Sequence, residues 1–416
     1  MSSAQSGVSE DGWRQVRQVG SADLAVGIPS FNNVSTIGYV VQAAAAGIAR
    51  HFPSLKAVII DSDGGSSDGT RQVVEATPVP AGVDKVVLTY KGLPGKGSAF
   101  RAIFEVASAL GVKACVVVDA DLRSITPDWM RLLADPVMRG DFGYVTPFYV
   151  RHKYDGTITN SIAYPLTRAL YGVSVRQPIG GEFGISAQLL ERFLAKDVWD
   201  TDVARFGIDV WMTTTAICEG FSVCQARLGA KVHDPKDPAA SLGPMFRQVV
   251  GTLLGLMRQY ERIWQGVTTT SLAPLIGEEI SVEPEAIAVN VPAMVERWRT
   301  GYRSEVGFWS CFLAKENLTE LERIASLAEE KHSFPLDLWV RVVYDFAVAY
   351  NRADLEPSRV VDSLAPLYYG RTAAFCLETA DLATAEVEAG PIEMVARRFE
   401  ELKPYLARRW QAAVGR

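Results

Sequence analysis

The sequence predicts an α/β protein, with a mostly parallel sheet in its first part and a helical region in its last. Three observations support this. Short apolar runs alternate with helical stretches between residues 24 and 121, polar residues collect where those runs end, and helical periodicity prevails beyond about residue 245. With 416 residues, 48% of them hydrophobic, the chain can bury a sizeable core in two or three domains.

The first half of the chain alternates strand and helix candidates. Four apolar runs are predicted as strands, and each of the first three is followed by a helical stretch. The strands are "LAVGIPSF" (24–31), "KAVIIDSD" (56–63, its apolar part ending at Asp61), "KVVLTY" (85–90) and "KACVVVDAD" (113–121). This order is typical of βαβ units on a parallel sheet buried on both faces. Ligands bind such sheets beyond the carboxyl ends of the strands, where the polar residues collect.

The rest of the chain is divided more coarsely. "DFGYVTPFYVRH" (141–152) is predicted as a strand, and "QPIGGEFGISAQLLERFL" (177–194) as a glycine-bearing turn that leads into a helix. Three parts are predicted: a flexible N-terminus (1–20), a ligand-binding α/β domain (21–255) and a helical C-terminal domain (256–416).

Composition excludes several classes of partner. The net charge of −6 favours neither nucleic acid nor an anionic membrane surface. Five cysteines without a C-x-x-C pair indicate reduced thiols and a cytoplasmic protein. The polar N-terminus lacks a signal-peptide core, and no apolar stretch approaches the roughly 20 residues that span a bilayer.

The fourth strand ends in Asp119-Ala120-Asp121, which is the first candidate site. Two carboxylates at a strand end can share a divalent cation, and Mg²⁺ or Mn²⁺ would leave coordination positions open for phosphate oxygens. The alternative is a solvated acidic turn. His233, one of four histidines, is a ligand candidate only because these aspartates imply a metal.

Two polar loops are ambiguous when taken alone. "GLPGKGSA" (92–99) is either a phosphate cradle with Lys96 as its cation or a plain glycine turn, and its spacing is not that of a P-loop. "DSDGGSSDGT" (61–70) suits recognition of a nucleoside, or it is an Asx-rich turn that caps the next helix.

Taken in order, the motifs resemble a known family. "PSFNN", "DSDGGSSDGT", "LPGKG", "DAD", "QPIGGEF", "FGID" and His233 are similar to the GT-A glycosyltransferases, in particular the retaining glucosyl-3-phosphoglycerate and mannosylglycerate synthases. The resemblance covers about residues 24–255 and implies a Rossmann-like GT-A fold, a nucleoside diphosphate sugar donor, a divalent metal (Mg²⁺ or Mn²⁺) and a homodimer.

The resemblance also implies roles for individual residues. Asp121 and His233 would hold the metal, and Asp209, Glu182 and Lys96 would be catalytic. The donor would contact Pro29, Phe31, Asn33, Ser62, Lys96, Asp119, Ala120, Gly180, Gly181 and Glu182. The acceptor would contact Arg151, Gly156, Thr157, Ile158 and Thr159.

The acceptor loop departs from the family. The phosphoglycerate enzymes carry an arginine after the glycine that aligns with Gly156, whereas this chain has Thr157. Loss of a bidentate phosphate partner favours a small unphosphorylated hydroxy acid such as D-glycerate, with 3-phosphoglycerate as the alternative if Arg151 or His152 binds the phosphate.

Two mechanisms would give retention, and three other classes of protein are alternatives. Retention requires either attack by Asp209 on the anomeric carbon or front-face departure of the diphosphate, which we favour. A haloacid-dehalogenase-type phosphatase would carry its D-x-D at the first strand, and a nicotinamide-dependent enzyme would need a G-x-G-x-x-G that is missing. A non-catalytic nucleotide-sugar-binding protein on the same fold remains the alternative of a different class.

Overall fold

The structure is a computed structural model. It describes residues 6–232, 238–279, 282, 284–328 and 331–414, with the backbone alone for 238–242 and 414. Ten strands are present in this part of the chain. They are β1 Leu24–Ser30, β2 Ala57–Asp63, β3 Val83–Thr89, β4 Ala114–Val117, β5 Tyr144–Val150, β6 Val173–Ser174, β7 Phe183–Ser186, β8 Val223–Ala230, β9 Ser271–Leu272 and β10 Leu275–Ile276.

Sixteen α-helices are present in the same described residues. They are α1 Glu10–Val19, α2 Ile37–His51, α3 Thr70–Ala76, α4 Lys96–Ala109, α5 Asp128–Met138, α6 Tyr164–Tyr171, α7 Ala187–Leu194, α8 Ile208–Cys218, α9 Pro238–Gln259, α10 Glu261–Gly266, α11 Val291–Trp309, α12 Lys315–Ala325, α13 Leu336–Arg352, α14 Pro357–Glu378, α15 Thr384–Val387 and α16 Glu393–Val414. A π-helical turn, Thr159–Ala163, precedes α6, and a 3₁₀ turn, Asp202–Ala204, precedes α8.

The chain divides into two compact units. The sheet unit comprises Met1–Val150, Val175–Asp237 and Ala273–Pro284, and the helical unit comprises Arg151–Ser174, Pro238–Leu272 and Glu285–Arg416. The chain therefore passes from one unit to the other several times, whereas the sequence prediction placed a single boundary after residue 255. Short segments such as 151–174 carry no change in composition that would reveal these crossings.

The sheet unit contains one eight-stranded sheet in the order β10-β8-β5-β7-β4-β1-β2-β3. Only β7 is antiparallel to its neighbours, β4 and β5, among the pairs of this sheet. The mostly parallel sheet predicted from the sequence is confirmed. The strand β7 was missed, because "FGIS" is four residues long, follows glycines and is buried on both faces, so that no alternation marks it.

Both faces of the sheet are covered by helices. Alternate residues of β1, such as Val26 and Ile28, belong to a buried cluster with α2 and α5. On the other face, Gly27 lies against Ile103 of α4, so closely that a Cβ atom at Gly27 would be 2.3 Å from the Ile103 side chain. Burial on both sides explains why these strands are continuously apolar.

Within residues 6–20, for which the sequence predicted a flexible N-terminus, the described segment contains the helix α1 and is anchored by polar contacts. Ser9 caps α1 by accepting from the Gly12 N–H, and the Gly7 N–H donates to the carboxylate of Glu105 on α4 at 3.0 Å. The Gly7 carbonyl accepts from the Lys91 N–H at 2.7 Å. Three polar anchors therefore hold a stretch whose composition alone suggests a loose tail.

The helical unit has its own core. Helix α11 packs on α14, and α13 packs on α14 and α16. The fully buried carboxylate of Asp345 on α13 accepts four hydrogen bonds of 2.8–2.9 Å, from Ala314 N, Asn317 Nδ2, Tyr405 Oη and Arg409 Nε. A buried carboxylate is stable only when satisfied in this way. Within the described residues, no helix is long and apolar enough to cross a membrane.

Candidate active site

Loops after β1 and β2 form an interlocked pair at one edge of the sheet unit. The Asn32 N–H donates to Ser66 Oγ at 2.8 Å, and the Asn33 N–H donates to Thr70 Oγ1 at 2.8 Å. Asn32 has φ +55°, a conformation that asparagine tolerates better than most residues. These bonds present the ring of Phe31, which is 61% exposed. An exposed aromatic ring on a fixed loop suits stacking on a nucleobase.

Ser62 does not lie where the sequence predicted it. It is the penultimate residue of β2 rather than part of a loop, and its side chain is fully buried. The strand continues past Asp61 because its backbone pairs with β1 and β3 as far as Asp63. Ser30 donates to Asp61 Oδ1 at 2.6 Å, and Asp63 accepts from the N–H groups of the following turn. Ser66 and Ser67 are the serines of the loop itself.

The glycines around Lys96 serve packing. A Cβ atom on Gly97 would lie 1.8 Å from the Val203 carbonyl, and one on Gly95 would lie 2.6 Å from the Ala204 carbonyl. Their N–H groups are bonded within the sheet unit: Gly97 N–H to the Arg205 carbonyl at 3.1 Å, and Gly95 N–H to Tyr90 Oη at 2.9 Å. The loop is thus not a cradle of free glycine N–H groups. It holds Lys96 against the turn that leads into α8.

Five charged side chains of the sheet unit form a chain of alternating sign, which we call the charge chain. In order they are Asp209, Lys96, Asp119, Lys231 and Glu182. Lys96 Nζ lies 3.3 Å from Asp209 Oδ1 and 2.8 Å from Asp119 Oδ1. Lys231 Nζ lies 3.0 Å from Asp119 Oδ2 and 2.9 Å from Glu182 Oε1.

Each member of the charge chain is positioned by a strand end or a helix start. Asp119 follows β4, Lys231 follows β8, and Glu182 precedes β7. Lys96 begins α4, where the helix dipole disfavours a cation, and Asp209 lies in the first turn of α8, where it favours an anion. The two carboxylates beside Lys96 offset the unfavourable dipole.

Burial and ion pairing shift the titration of these groups. Burial would lower the pKa of Lys96, but the carboxylates of Asp119 and Asp209 outweigh it and hold that pKa above its ordinary value. Burial would raise the pKa of Asp119, yet Lys231 and Lys96 hold it well below its ordinary value. Burial raises the pKa of Glu182 to about 7 and also raises that of Asp209. Lys96 and Asp119 are therefore charged at neutral pH, whereas Glu182 titrates close to it.

The sequence predicted four members of the charge chain and missed Lys231. It also missed Tyr149, whose hydroxyl donates to Glu182 Oε2 and whose ring lies 5.4 Å from Lys231 Nζ. The sequence signal for Lys231 is weak, because the strand that precedes it, "VCQARLGA", contains Gln225 and Arg227 and is not a continuous apolar run. Tyr149 carries no such signal inside "YVTPFYV".

Of the two predicted metal ligands, Asp121 is described and His233 lies outside the described residues. The loop after Asp121 is joined to the end of the strand β8: the Arg123 N–H donates to the Val232 carbonyl, and the Val232 N–H donates to Ser124 Oγ, both at 2.9 Å. Among the described residues, no three His, Cys, Asp or Glu side chains are arranged to hold a metal. Asp119 is engaged by two lysines.

The predicted acceptor residues belong to the helical unit. Ile158 and Thr159 are buried, and the Thr157 hydroxyl is hydrogen-bonded to Tyr368 Oη. Thr157 also lines a small cavity of about 20 Å³, open to solvent, within this unit; its other lining residues are Asn160, Ser161, Trp339, Arg371, Thr372, Phe375 and Val395. The acceptor roles stay predictions.

Part of the chain, most of it in the sheet unit, is similar to a known family. Residues 25–193 match the family model of glycosyl transferase family 2. This stretch is less than half of the chain. It contains Lys96, Asp119, Asp121 and Glu182, whereas Asp209 and Lys231 lie beyond it. With the mostly parallel sheet and the C-terminal helices, the predicted GT-A fold class is confirmed.

Solved structures that are similar to this chain include glucosyl-3-phosphoglycerate synthase from Mycobacterium tuberculosis. Its complex with Mn²⁺, UDP and phosphoglyceric acid is 24% identical, with a TM-score of 0.44 over 59% of this chain and 81% of that chain. Its complex with Mg²⁺ and UDP is 23% identical, with a TM-score of 0.43 over 59% and 82%. No curated protein matches this chain.

Proposed function

We propose that this chain is a retaining hexosyltransferase. It moves glucose or mannose from a nucleoside diphosphate sugar to a small hydroxy acid such as D-glycerate. The observation that best supports this is the charge chain, which lies at strand ends and helix starts of the sheet unit. Residues 25–193, which include three of the five members of the charge chain, match a glycosyltransferase family. Charged groups that are buried, paired and shifted in pKa are typical of reaction centres.

The donor is proposed to lie along the carboxyl edge of the sheet. Phe31 stacks on the base, Pro29 lies near the end of β1, and Asn33 lies in the loop that follows β1. Lys96, 14% exposed, has three N–H donors and two carboxylate neighbours, so one donor is left for a diphosphate oxygen. Asp119, Glu182 and Asp209 then face the ribose and the sugar hydroxyls.

A divalent ion is proposed as cofactor, held by Asp121 and His233. Carboxylate and imidazole suit Mg²⁺ or Mn²⁺ with open positions for phosphate oxygens. The bonds between Val232 and the loop after Asp121 tie the residue that precedes His233 to the other proposed ligand. The ion would neutralise the charge that develops on the diphosphate as the sugar departs.

Asp209 is proposed to bind sugar hydroxyls rather than to attack the anomeric carbon. Its carboxylate lies 3.3 Å from Lys96 Nζ, and an ion-paired carboxylate is a poorer nucleophile than a free one. We therefore favour departure of the diphosphate from the face of the sugar that the acceptor attacks. In this mechanism a diphosphate oxygen takes the proton of the acceptor hydroxyl, while Lys96 stabilises the leaving group.

The acceptor is proposed to be unphosphorylated. Thr157 stands where the related phosphoglycerate enzymes carry an arginine, and Arg151 has Asp155 as a neighbour, with Arg151 Nη1 3.7 Å from Asp155 Oδ2. An arginine that lies near a carboxylate binds a phosphate dianion less strongly than an unpaired arginine does.

A homodimer is also proposed, and sedimentation of the purified chain would test it.

A donor–acceptor panel tests the proposed function. The chain is incubated with Mn²⁺ or Mg²⁺, with D-glycerate or 3-phosphoglycerate as acceptor, and with one of four donors: UDP-glucose, GDP-glucose, ADP-glucose or GDP-mannose. The products are identified by mass spectrometry. We expect a hexosyl-glycerate and a preference for D-glycerate. A preference for 3-phosphoglycerate would overturn the acceptor alone. Nucleotide-sugar binding without transfer would favour the non-catalytic alternative.

A further inference from the structure

Lys231 has no part in the mechanism proposed above, although it is the most enclosed cation of the charge chain. It follows β8 directly, and its side chain is 5% exposed. Its ammonium lies 3.0 Å from Asp119 Oδ2, 2.8 Å from the Gly180 carbonyl and 2.9 and 3.0 Å from the two oxygens of Glu182. A buried charge is stable only with such partners.

The hydrogen-bond capacity of Lys231 is used up by the protein. An ammonium has three N–H donors, and Asp119, Gly180 and Glu182 accept all three. Lys96 differs, because it is more exposed and pairs with two carboxylates among the described residues. A phosphate oxygen can therefore reach Lys96 at no loss of an existing bond, whereas Lys231 would have to release a partner.

The backbone is shaped around the ion pairs of Lys231. Gly181 has φ +97°, and a Cβ atom there would lie 2.2 Å from Asp119 Oδ2 and 2.9 Å from Lys231 Nζ. On the other side, Tyr149 donates to Glu182 and places its ring 5.4 Å from the ammonium. Glu182 is thereby held by both Lys231 and Tyr149, and Gly181 leaves room for the pair that Lys231 forms with Asp119.

We infer that Lys231 is a positioning residue, which orients the carboxylates of Asp119 and Glu182 toward the hydroxyl groups of the donor sugar. The inference rests on the proposed function. It assigns the two lysines different tasks: Lys96 meets the diphosphate, and Lys231 sets the geometry of the sugar-binding carboxylates. Loss of Lys231 should then impair turnover of bound donor and spare affinity for the nucleotide part.

The test separates affinity from turnover. Lys231→Met, Lys231→Arg and Lys96→Met are compared with Lys91→Met, which removes an exposed lysine of the neighbouring loop. Calorimetry with UDP and GDP in Mn²⁺ gives nucleotide affinity, and the donor panel gives kcat. We expect Lys231→Met to lower kcat by about 100-fold, the cost of a misplaced group, with nucleotide affinity within about threefold of wild type. Lys231→Arg should recover part of kcat, and Lys96→Met should weaken nucleotide binding.

A double-mutant cycle with Glu182→Gln tests whether Lys231 acts through Glu182. Lys231→Met/Glu182→Gln has the net charge of the wild type, so it also serves if the single Met variant does not fold. If Lys231 works by holding Glu182, the double variant should be no slower than the slower single variant. If the fold-losses in kcat of the two single variants multiply in the double variant, the inference is contradicted. A large loss of nucleotide affinity in Lys231→Met would also contradict it.

Failure of the inference and failure of the proposed function have different signatures. If the wild-type chain transfers no hexose from any donor, the proposed function is wrong and the inference falls with it. If the wild type is active and Lys231→Met and Lys231→Arg both keep its kcat, only the inference is wrong.

Discussion

At the residue scale, Lys96 combines an unfavourable position with two compensating partners. It begins α4, and both Asp119 and Asp209 lie beside its ammonium. An ammonium so arranged is charged at every physiological pH and needs no rearrangement to meet an incoming anion. Catalysis by a preorganised charge requires this property.

Replacing Lys96 tests that role. Lys96→Met should lower kcat/KM for the donor by about 100-fold or more, because removal of a preorganised charge near the leaving group costs roughly 2.7–4 kcal/mol. Steady-state kinetics with varied donor measure the loss. Lys91→Met is the matched control and should keep wild-type kinetics, since that side chain is exposed. A Lys96→Met variant with normal kcat/KM would remove Lys96 from the reaction.

Asp61 gives a second prediction at this scale. Burial raises its pKa to about 7, although Ser30 donates to it. A carboxyl whose pKa is higher in the folded chain stabilises the fold at low pH, and this stabilisation is lost as pH rises from about 4 to about 7. The wild type should therefore lose more unfolding free energy between pH 5 and 8 than Asp61→Asn.

The size of this difference follows from the raised pKa. A difference of one pKa unit between the folded and unfolded chain corresponds to about 1.4 kcal/mol. Between pH 5 and 7, the wild type should therefore lose about 2–3 kcal/mol more unfolding free energy than Asp61→Asn. Urea unfolding of both proteins at pH 5, 6, 7 and 8 measures it. Parallel curves for the two proteins would mean that Asp61 has an ordinary pKa.

At the element scale, the start of α4 depends on its contact with the turn that precedes α8. Gly97→Ala would place a Cβ atom 1.8 Å from the Val203 carbonyl, a backbone atom that cannot simply move away. We expect a loss of about 2–3 kcal/mol in unfolding free energy, as for overpacking, together with lower kcat because Lys96 shifts.

Gly307→Ala is the matched control for the Gly97 variant. Gly307 is an exposed position of α11, and outside the adjoining helix backbone no atom lies within 4 Å of the place that an alanine methyl group would take there. Alanine should therefore raise stability by about 0.5–1 kcal/mol through helix propensity. Chemical denaturation measures both variants. A stable and fully active Gly97→Ala protein would contradict the packing role of the glycine loop.

Sequence patterns predicted these elements unevenly, for physical reasons. Strands β1 to β5 were recognised from their apolar runs, which are longest where a strand is buried on both faces, as in β1 and β2. Helices α2 and α4 were recognised from their helix formers and apolar spacing. Strand β7 was missed because it is too short to show a pattern, and the polar residues at the end of β2, Asp61, Ser62 and Asp63, were also read as the start of a loop. Short polar strand ends look like loops until their partners are known.

The same limit applies to the site. Lys96, Asp119, Glu182 and Asp209 were found through motifs, and the structure brings them together. Lys231 and Tyr149 were missed because their importance lies in contacts across distant strands, which no local spacing reveals. The glycines of "LPGKG" look like a phosphate loop in sequence, yet their N–H groups are bonded to Arg205 and Tyr90.

At the scale of the whole molecule, the proposed metal site depends on segments far apart in the chain. Asp121 and His233 are separated by more than a hundred residues. Chelation with EDTA should abolish transfer and Mn²⁺ or Mg²⁺ should restore it. Asp121→Asn should raise the Mn²⁺ concentration that gives half-maximal rate by about tenfold or more, since a neutral amide binds hard cations less well than a carboxylate.

Asp135→Asn is a suitable control for the Asp121 variant, because Asp135 pairs with Arg139 on the same face of α5. It should leave the metal requirement unchanged. Full activity of the wild-type protein in EDTA would contradict the metal-dependent mechanism and leave Lys96 as the main counter-charge for the diphosphate.

The proposed transfer is tested most sharply by the mass and anomeric configuration of the product made from a nucleoside diphosphate hexose and D-glycerate. Purified wild-type chain with Mn²⁺ should yield one hexosyl-glycerate with the anomeric configuration of the donor, together with one equivalent of nucleoside diphosphate. An inverted product would contradict retention. No product from any of the four donors, with either acceptor, would contradict the proposal that this chain is a hexosyltransferase for small hydroxy acids.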